Sequence, residues 1–207
     1  MSPSIPAIFI ADSTGLDFLN SIATPVDRQI DWLSDGDGFL NWLEQAGLAP
    51  AVIIVALRKK ASPGELDRLA AQARILREWF RAFVRERKGR PLKVADLGEL
   101  APLNRLLERD ERYSALIAIP QRGGAKLEVA QLRRWRSPEA LLLPLGEALA
   151  KVLAEEDFTD IKACEGASCT LLFADHTRAR SRRWCSMGIC GNRAKQTAHR
   201  RRRKDQH

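Results

Sequence analysis

Between Ser62 and Lys88, apolar side chains recur at every third or fourth position, which is the period of one face of a helix. The residues of this stripe are Leu66, Leu69, Ala73, Leu76, Phe80 and Phe83. Ser62 and Glu65 precede most of the stripe with the spacing of a capping box, in which each side chain satisfies a backbone amide of the other residue. The pattern therefore predicts a long amphipathic helix that starts at this box and ends near Gly89.

The rest of residues 1–160 is also predicted to be mainly helical, with one β-hairpin. Shorter amphipathic helices are expected between Leu16 and Ala46, and Gly47 has the position of a C-terminal cap. Residues 112–135 alternate between apolar and polar positions around a Gly-Gly pair, which predicts the hairpin. A last helix is expected after Ser137, with an interruption at Pro144.

Three further segments complete the prediction for this half. The stretch IFIAD near the N-terminus is expected to form a short strand, and Asp96 and Glu99 are expected to open a helix through Leu107. The acidic stretch EEDFTDI, residues 155–161, is expected to be a linker. The predicted fold class is α+β, with a mainly helical N-terminal domain over residues 1–160.

The charges of the chain are divided unevenly. Residues 1–163 contain 23 Lys and Arg against 23 Asp and Glu, whereas residues 164–207 contain 11 against 3, a net charge of +8. All four cysteines lie in the same final stretch. Two independent properties thus predict a separate C-terminal module, residues 161–207.

The cysteines form two CxxxxC pairs with fifteen residues between the pairs: Cys164, Cys169, Cys185 and Cys190. Four thiolates in close pairs are typical of a closed, tetrahedral structural zinc site. The paired spacing and the surrounding arginines favour Zn2+ over an iron–sulfur cluster, which also uses four thiolates. Two disulfides are the other alternative, and they would require an oxidising compartment.

The segments around the cysteines predict a small treble-clef-like zinc finger. Each cysteine pair would form a knuckle, in which Gly166 and Gly188 are expected to adopt a left-handed turn. TLLF, residues 170–173, is expected to pair with a return strand at residues 182–184, and a basic helix is expected after Cys190. This order would place the last ligands at the N-terminus of a helix, where the dipole favours thiolates.

The cations of the module exceed what one metal site needs for neutralisation, which indicates a polyanionic partner. The sequence contains no acidic residue between Asp175 and Asp205. Double-stranded DNA is the favoured partner, because basic side chains would contact phosphates while one helix face enters a groove. The predicted nucleic-acid contacts are Arg178, Arg182, Arg183, Asn192, Arg193, Lys195 and Arg200.

Two alternatives use the same module. An RNA-binding protein could stack exposed bases on Phe173 and Trp184. A thiol redox or zinc sensor could release its metal on oxidation, because neighbouring arginines lower thiol pKa values.

The N-terminal half contains no motif with catalytic spacing and no histidine before His176, so a binding protein is expected rather than an enzyme. Asn20 and Arg28 flank a turn and could line a pocket for a small-molecule effector. No apolar run is long enough for a membrane span and the N-terminus has no signal-peptide pattern, so we expect a cytoplasmic protein. A homodimer is compatible with duplex recognition, although no dimer surface is evident.

Two motifs resemble known bacterial families. Residues 164–204, with CxxxxC followed by RRWCSMxxCGNRxK, resemble the CGNR zinc finger, and LDFLNS, DWL and FLNWLEQAGL resemble the ABATE domain that accompanies it. The resemblance implies zinc on the four cysteines and a signature formed by Gly191, Asn192 and Arg193. It also implies a stress-linked transcriptional regulator with a DNA-binding finger and a ligand-binding N-terminal domain.

Overall fold

The computed structural model describes residues 6–24 and 29–197, and within these ranges it is a mainly helical α+β fold. Arg28 and Arg200 lie outside the described residues. The α-helices are α1 (Thr14–Leu19), α2 (Gly36–Gln45), α3 (Ala51–Lys60), α4 (Glu65–Arg87), α5 (Ala101–Leu107) and α6 (Leu143–Glu155). Three antiparallel pairs contain the strands β1 (Ile22–Ala23) with β2 (Ile30–Asp31), β3 (Arg112–Gln121) with β4 (Gly124–Arg133), and β5 (Ile161–Ala163) with β6 (Leu172–Ala174).

The longest helix, α4, confirms the periodic pattern of the sequence. Phe80 is fully buried and Phe83 is 3% exposed, so the predicted apolar stripe faces the core. The carboxylate of Glu65 accepts the Ser62 amide at 2.7 Å, as the capping box requires. The Glu65 amide donates to the Ser62 carbonyl at 3.0 Å rather than to the Ser62 hydroxyl, and the N-cap of α4 is Gly64 instead of the predicted Ser62.

Helix α1 lies at the centre of the molecule, although it is only six residues long. Leu16 and Phe18 are fully buried, and Phe18 contacts Trp42 of α2 with ring centroids 5.6 Å apart. Gly15 permits a close approach to α6, because a Cβ at this position would lie 2.4 Å from the carbonyl oxygen of Ala148. The short helix is therefore held by tertiary packing rather than by its own length.

Three of the local predictions need correction. IFIAD forms no strand in the structure, and the predicted helix through Leu107 begins with a 3-10 segment, Val94–Leu100, before α5. The EEDFTDI stretch is not an open linker, because Phe158 is 2% exposed and packs edge-on against Phe83. The interruption predicted at Pro144 is confirmed by a change there from a 3-10 helix, Pro138–Leu142, to α6.

Strands β3 and β4 form the predicted hairpin, with Arg122 and Gly123 in its two-residue loop and Gly124 as the first residue of β4. Gln121 pairs with Gly124, and Gly123 between them has a φ of +88°, which favours glycine. At the base of the hairpin, the Arg133 guanidinium donates two hydrogen bonds to Asp110, at 2.7 and 2.8 Å. These bonds lower the pKa of the Asp110 carboxyl, although burial opposes them. The base is thus fixed to the helical body by a partly buried ion pair.

The C-terminal module shares its hydrophobic core with the N-terminal half. Phe173 of β6 is fully buried in the same cluster as α1, and the Ala174 amide donates to the Ala11 carbonyl at 2.9 Å. The module therefore folds against the rest of the chain, even though the charge distribution sets it apart.

Asn20 has a structural role instead of the predicted ligand contact. Its side-chain amide donates to the Leu172 carbonyl at 2.7 Å, and its side-chain oxygen accepts the Leu172 amide at 2.9 Å. Both polar ends are thus used by β6, and Asn20 is 2% exposed. Asn20 therefore links the end of α1 to the C-terminal module through two hydrogen bonds.

No helix among residues 6–24 and 29–197 is both long enough and apolar enough to cross a bilayer.

We expect Asn20→Ala to lower the free energy of unfolding by about 2–4 kcal/mol, because it leaves a buried donor and a buried acceptor of Leu172 unsatisfied. Chemical denaturation measures the change. Asn41→Ala is the matched control, since Asn41 is exposed on α2, and it should change stability by less than about 0.5 kcal/mol. Equal stability of the two variants would contradict this stabilising role of the Asn20 hydrogen bonds.

Candidate metal centre and basic surface

The four cysteine sulfurs converge on one point. All four lie within 4.8 Å of one another, with Cys169 and Cys185 at 3.8 Å and Cys185 and Cys190 at 3.6 Å. A tetrahedral zinc ion with Zn–S bonds of about 2.3 Å requires sulfurs about 3.8 Å apart. The cysteines are free thiols, and separations of this size exclude disulfide bonds between these pairs. The donor set therefore fits Zn2+.

The first cysteine pair lies at the tip of a short hairpin. Ala163 pairs with Leu172, so the chain from Cys164 to Leu171 forms the loop between β5 and β6. The partner of β6 is therefore β5, and the predicted return strand at residues 182–184 is wrong. That return segment contributes a single backbone bond, from the Glu165 amide to the Arg183 carbonyl at 2.9 Å.

The second pair lies at the start of a helix, with Cys185 just before its N-cap. A π-helical turn, Met187–Gly191, is capped by the Ser186 hydroxyl, which accepts the Gly188 amide at 3.2 Å. The helix continues over residues 192–197. Cys190 lies in the first turn of this helix, as the sequence predicts.

The two knuckle glycines have roles that differ from the predicted left-handed turns. Neither Gly166 nor Gly188 is among the residues with positive φ in the described part of the chain. Gly166 instead permits the sulfurs to meet, because a Cβ there would lie 3.0 Å from the Cys190 sulfur and 3.0 Å from the Cys169 Cβ. A Cβ on Gly188 would have only the Ser186 hydroxyl nearby, at 3.7 Å.

Backbone amides and mutual proximity shape the charge of the sulfurs. The Cys185 amide donates to the Cys164 sulfur at 3.2 Å. Hydrogen bonding, chiefly from Cys185, lowers the pKa of Cys169 to about 5, whereas burial raises the pKa of Cys190 to about 12. Ionisation of the Cys169 thiol thus disfavours ionisation of the neighbouring thiols, whereas a bound divalent cation would let all four ionise together. A bound zinc ion would cross-link the two knuckles. With four sulfur ligands it would have no open coordination position for catalysis.

A buried carboxylate organises the segment between the knuckles. Asp175 is fully buried and accepts hydrogen bonds from the Lys162 ammonium at 2.6 Å, the Thr177 hydroxyl at 2.6 Å and the Arg182 amide at 2.8 Å. Burial alone would raise the pKa of Asp175, but these donors hold it well below its usual value. The negative charge of Asp175 is therefore compensated inside the module by these donors.

Arg182 is a structural residue rather than a phosphate contact. Its guanidinium lies 4.2 Å from the centre of the Phe173 ring and donates to Asp12 at 2.6 Å and to the Ile10 carbonyl at 2.8 Å. A further bond reaches the Cys185 carbonyl. These contacts tie the metal knuckle to the N-terminal segment, so the predicted nucleic-acid role for Arg182 is replaced by a structural one.

The other predicted contacts lie on the surface. Arg178, Asn192, Arg193 and Lys195 are exposed, as is Arg183. Arg183 pairs with Glu165 at 2.6 Å and its guanidinium lies 4.9 Å from the centre of the Trp184 ring. Phe173 is fully buried and cannot stack a base, so the RNA hypothesis loses one of its two aromatic residues.

His176 is not part of the sulfur cluster. Its ring nitrogen lies 2.7 Å from a Glu156 carboxylate oxygen, at the end of α6. His176 therefore pairs with a carboxylate of the N-terminal half instead of contributing a metal ligand.

A cleft of about 770 Å³ lies beside the metal centre. Ile8, Ala23 and Thr24 line one side, and Ile189 and Arg193 line the other. The cleft has no signal in the charge distribution or the motifs of the sequence, because it forms between segments that are far apart in the chain. Its lining was predictable only in part, through the cysteines and Arg193.

We expect Gly166→Ala to weaken zinc binding by at least about tenfold, corresponding to about 1.4 kcal/mol, because the added methyl crowds Cys169 and Cys190. Competition with a chromogenic chelator measures zinc affinity. Gly188→Ala is the matched control, with the same added atom in open space, and should retain wild-type affinity. An unaltered affinity for Gly166→Ala would contradict the close packing of the sulfurs.

Comparison with known families agrees with the geometry. Residues 161–203 match the CGNR zinc finger, and residues 12–156 match ABATE, a family described as "Putative stress-induced transcription regulator". No curated protein matches the chain. Because the ABATE match covers well over half of the sequence, the chain belongs to the ABATE family and has a CGNR zinc finger that follows the ABATE domain.

Proposed function

We propose that the protein is a cytoplasmic, zinc-dependent DNA-binding transcriptional regulator. The observation that carries the proposal is the position of the exposed cations relative to the metal knuckles. Arg183 lies two residues before Cys185, the first cysteine of the second knuckle, and Arg193 and Lys195 lie three and five residues after its last cysteine, Cys190. One zinc ion would thus fix basic side chains on both sides of the site, where they can contact phosphates.

The role of zinc in this proposal is structural. Over its described residues, 161–197, the module contains only the short strands β5 and β6 and a few helical turns, so this secondary structure supplies little stability by itself. A metal that joins both knuckles adds free energy of folding directly. The exposed cations would then be held in one arrangement, instead of belonging to a flexible basic segment.

The N-terminal domain is proposed to bind a small-molecule effector in the cleft beside the metal centre. This assignment rests on the cleft itself, since Asn20 is used by β6. An occupant there would contact Ile8 and Thr24 from the N-terminal half together with Arg193 from the basic surface. Effector binding and nucleic-acid binding would be coupled because they share Arg193.

Binding to duplex DNA should weaken steeply with salt, because each neutralised phosphate releases condensed counterions. Fluorescence anisotropy across a salt series gives the slope of log affinity against log salt. Arg193→Ala with Lys195→Ala should reduce the magnitude of the slope by about 2 and preserve zinc content. Arg122→Ala, at the exposed tip of the β3–β4 hairpin, is the matched control and should leave the slope unchanged.

A wild-type slope near zero would overturn the proposal. Unchanged binding by the double variant, with binding lost after removal of residues 200–204, would instead assign the contact to the basic C-terminal tail. Competition among duplex DNA, single strands and structured RNA separates DNA binding from the RNA alternative.

The redox-sensor alternative is tested on the same protein. Mild peroxide should leave zinc bound if the metal is purely structural, whereas release of zinc together with loss of DNA binding would favour a sensor. Zinc release monitored by a chromogenic chelator distinguishes the two results.

A further inference from the structure

The β3–β4 hairpin presents an unpaired sheet with exposed apolar side chains. Among the described residues, neither strand pairs with any other strand. Leu116, Leu127 and Val129 are 71%, 66% and 68% exposed. Leu116 pairs with Val129, and Leu127 lies two residues from Val129, so the three side chains share one face. Such a patch on an isolated ribbon marks an interaction surface.

The two edges of the ribbon differ in their capacity to pair. Gln121 and Gly124 close a two-residue loop and form a hydrogen-bonded pair, so backbone groups at alternate positions point outward. On β3 one outward position is Pro120, which has no amide hydrogen to donate. On β4 the outward positions are Ala125, Leu127, Val129, Gln131 and Arg133, and all five have an amide. The outward row of amides is therefore continuous on β4, whereas Pro120 interrupts it on β3.

The sequence of β4 is complementary to itself around Leu127. In an antiparallel pair related by a two-fold axis at Leu127, Lys126 of one copy faces Glu128 of the other, and the reverse pair forms by symmetry. Ala125 faces Val129, and Leu127 faces Leu127. Opposite charges and apolar side chains thus match at every position of the central five residues.

We propose that two copies of this chain associate through β4, forming a four-stranded antiparallel sheet across a two-fold axis at Leu127. The unpaired edge supplies the hydrogen bonds, and the charges at 126 and 128 set the register. An isologous interface of this kind closes on itself at two copies. The interface is distant in sequence from the cysteine module and does not depend on the proposed function.

A simpler role for the two charges is already present within one chain. The Lys126 ammonium lies 2.7 Å from a Glu128 carboxylate oxygen, and both side chains are solvent-exposed in part. Charged residues on an edge strand can also prevent pairing. The experiment must therefore separate charge pairing between copies from charge pairing within one copy.

Sedimentation of the full-length protein at concentrations up to about 1 mM provides the test, with zinc content checked for each variant. Wild type should dimerise reversibly. Lys126→Glu and Glu128→Lys should each weaken the dimer by about tenfold, because each places two like-charged pairs across the axis. An equimolar mixture of the two variants should restore association, since their heterodimer regains opposite charges. Pairing within one chain cannot produce this restoration.

Two proline variants test the edge itself. Leu127→Pro should abolish the dimer, because it removes an outward amide while leaving the hydrogen bonds within the hairpin intact. Ala118→Pro, at the cross-strand partner of Leu127, removes an outward amide from the other edge and should still dimerise. Circular dichroism confirms folding of both variants.

A monomeric wild type across the full concentration range would overturn the proposal. A dimer that survives Leu127→Pro, or a variant mixture that associates no better than its components, would overturn it equally.

Discussion

The C-terminal module depends on one constraint: its four cysteine sulfurs must lie close enough together to bind a single metal ion. Sulfurs 3.6 and 3.8 Å apart need a cation to ionise together, and Gly166 lets them approach because a Cβ there would crowd Cys169 and Cys190, each 3.0 Å away. The knuckles in turn place Arg183 and Arg193 on the surface. The basic face of the module is thus a consequence of metal geometry.

The zinc finger is also fixed from outside by the N-terminal half. Asn20 binds the backbone of β6, and Arg182 joins the second knuckle to Asp12 and Ile10. Both contacts come from residues next to α1, whose own burial depends on Phe18 and Gly15. Packing around α1 and folding of the metal site are therefore linked. A substitution that disturbs one of them is expected to destabilise the other.

Elements governed by local periodicity could be predicted from the sequence, whereas contacts between distant segments could not. The α4 stripe, the β3–β4 hairpin and the cysteine spacing are local signals, and the structure agrees with each. Residues 161–163 are too few to show a period, so the pairing of β5 with β6 has no local signal, and the role of Asn20 has none because its partner lies 152 residues away. Gly166 was recognised as necessary, but for backbone conformation rather than for space.

The arginines of the module show why charge alone does not identify a binding surface. Arg182 and Arg183 are adjacent in sequence, yet Arg182 covers the Phe173 ring and satisfies backbone carbonyls, whereas Arg183 lies at the surface beside Glu165. A guanidinium has five donors and a planar face, so it can serve as core material as readily as it binds phosphate. Loss of Arg182 is therefore expected to lower stability and zinc retention, whereas under the proposed function loss of Arg193 is expected to weaken nucleic-acid binding without loss of zinc. This difference between the two variants distinguishes a surface shaped by the metal site from binding by the basic residues 200–204.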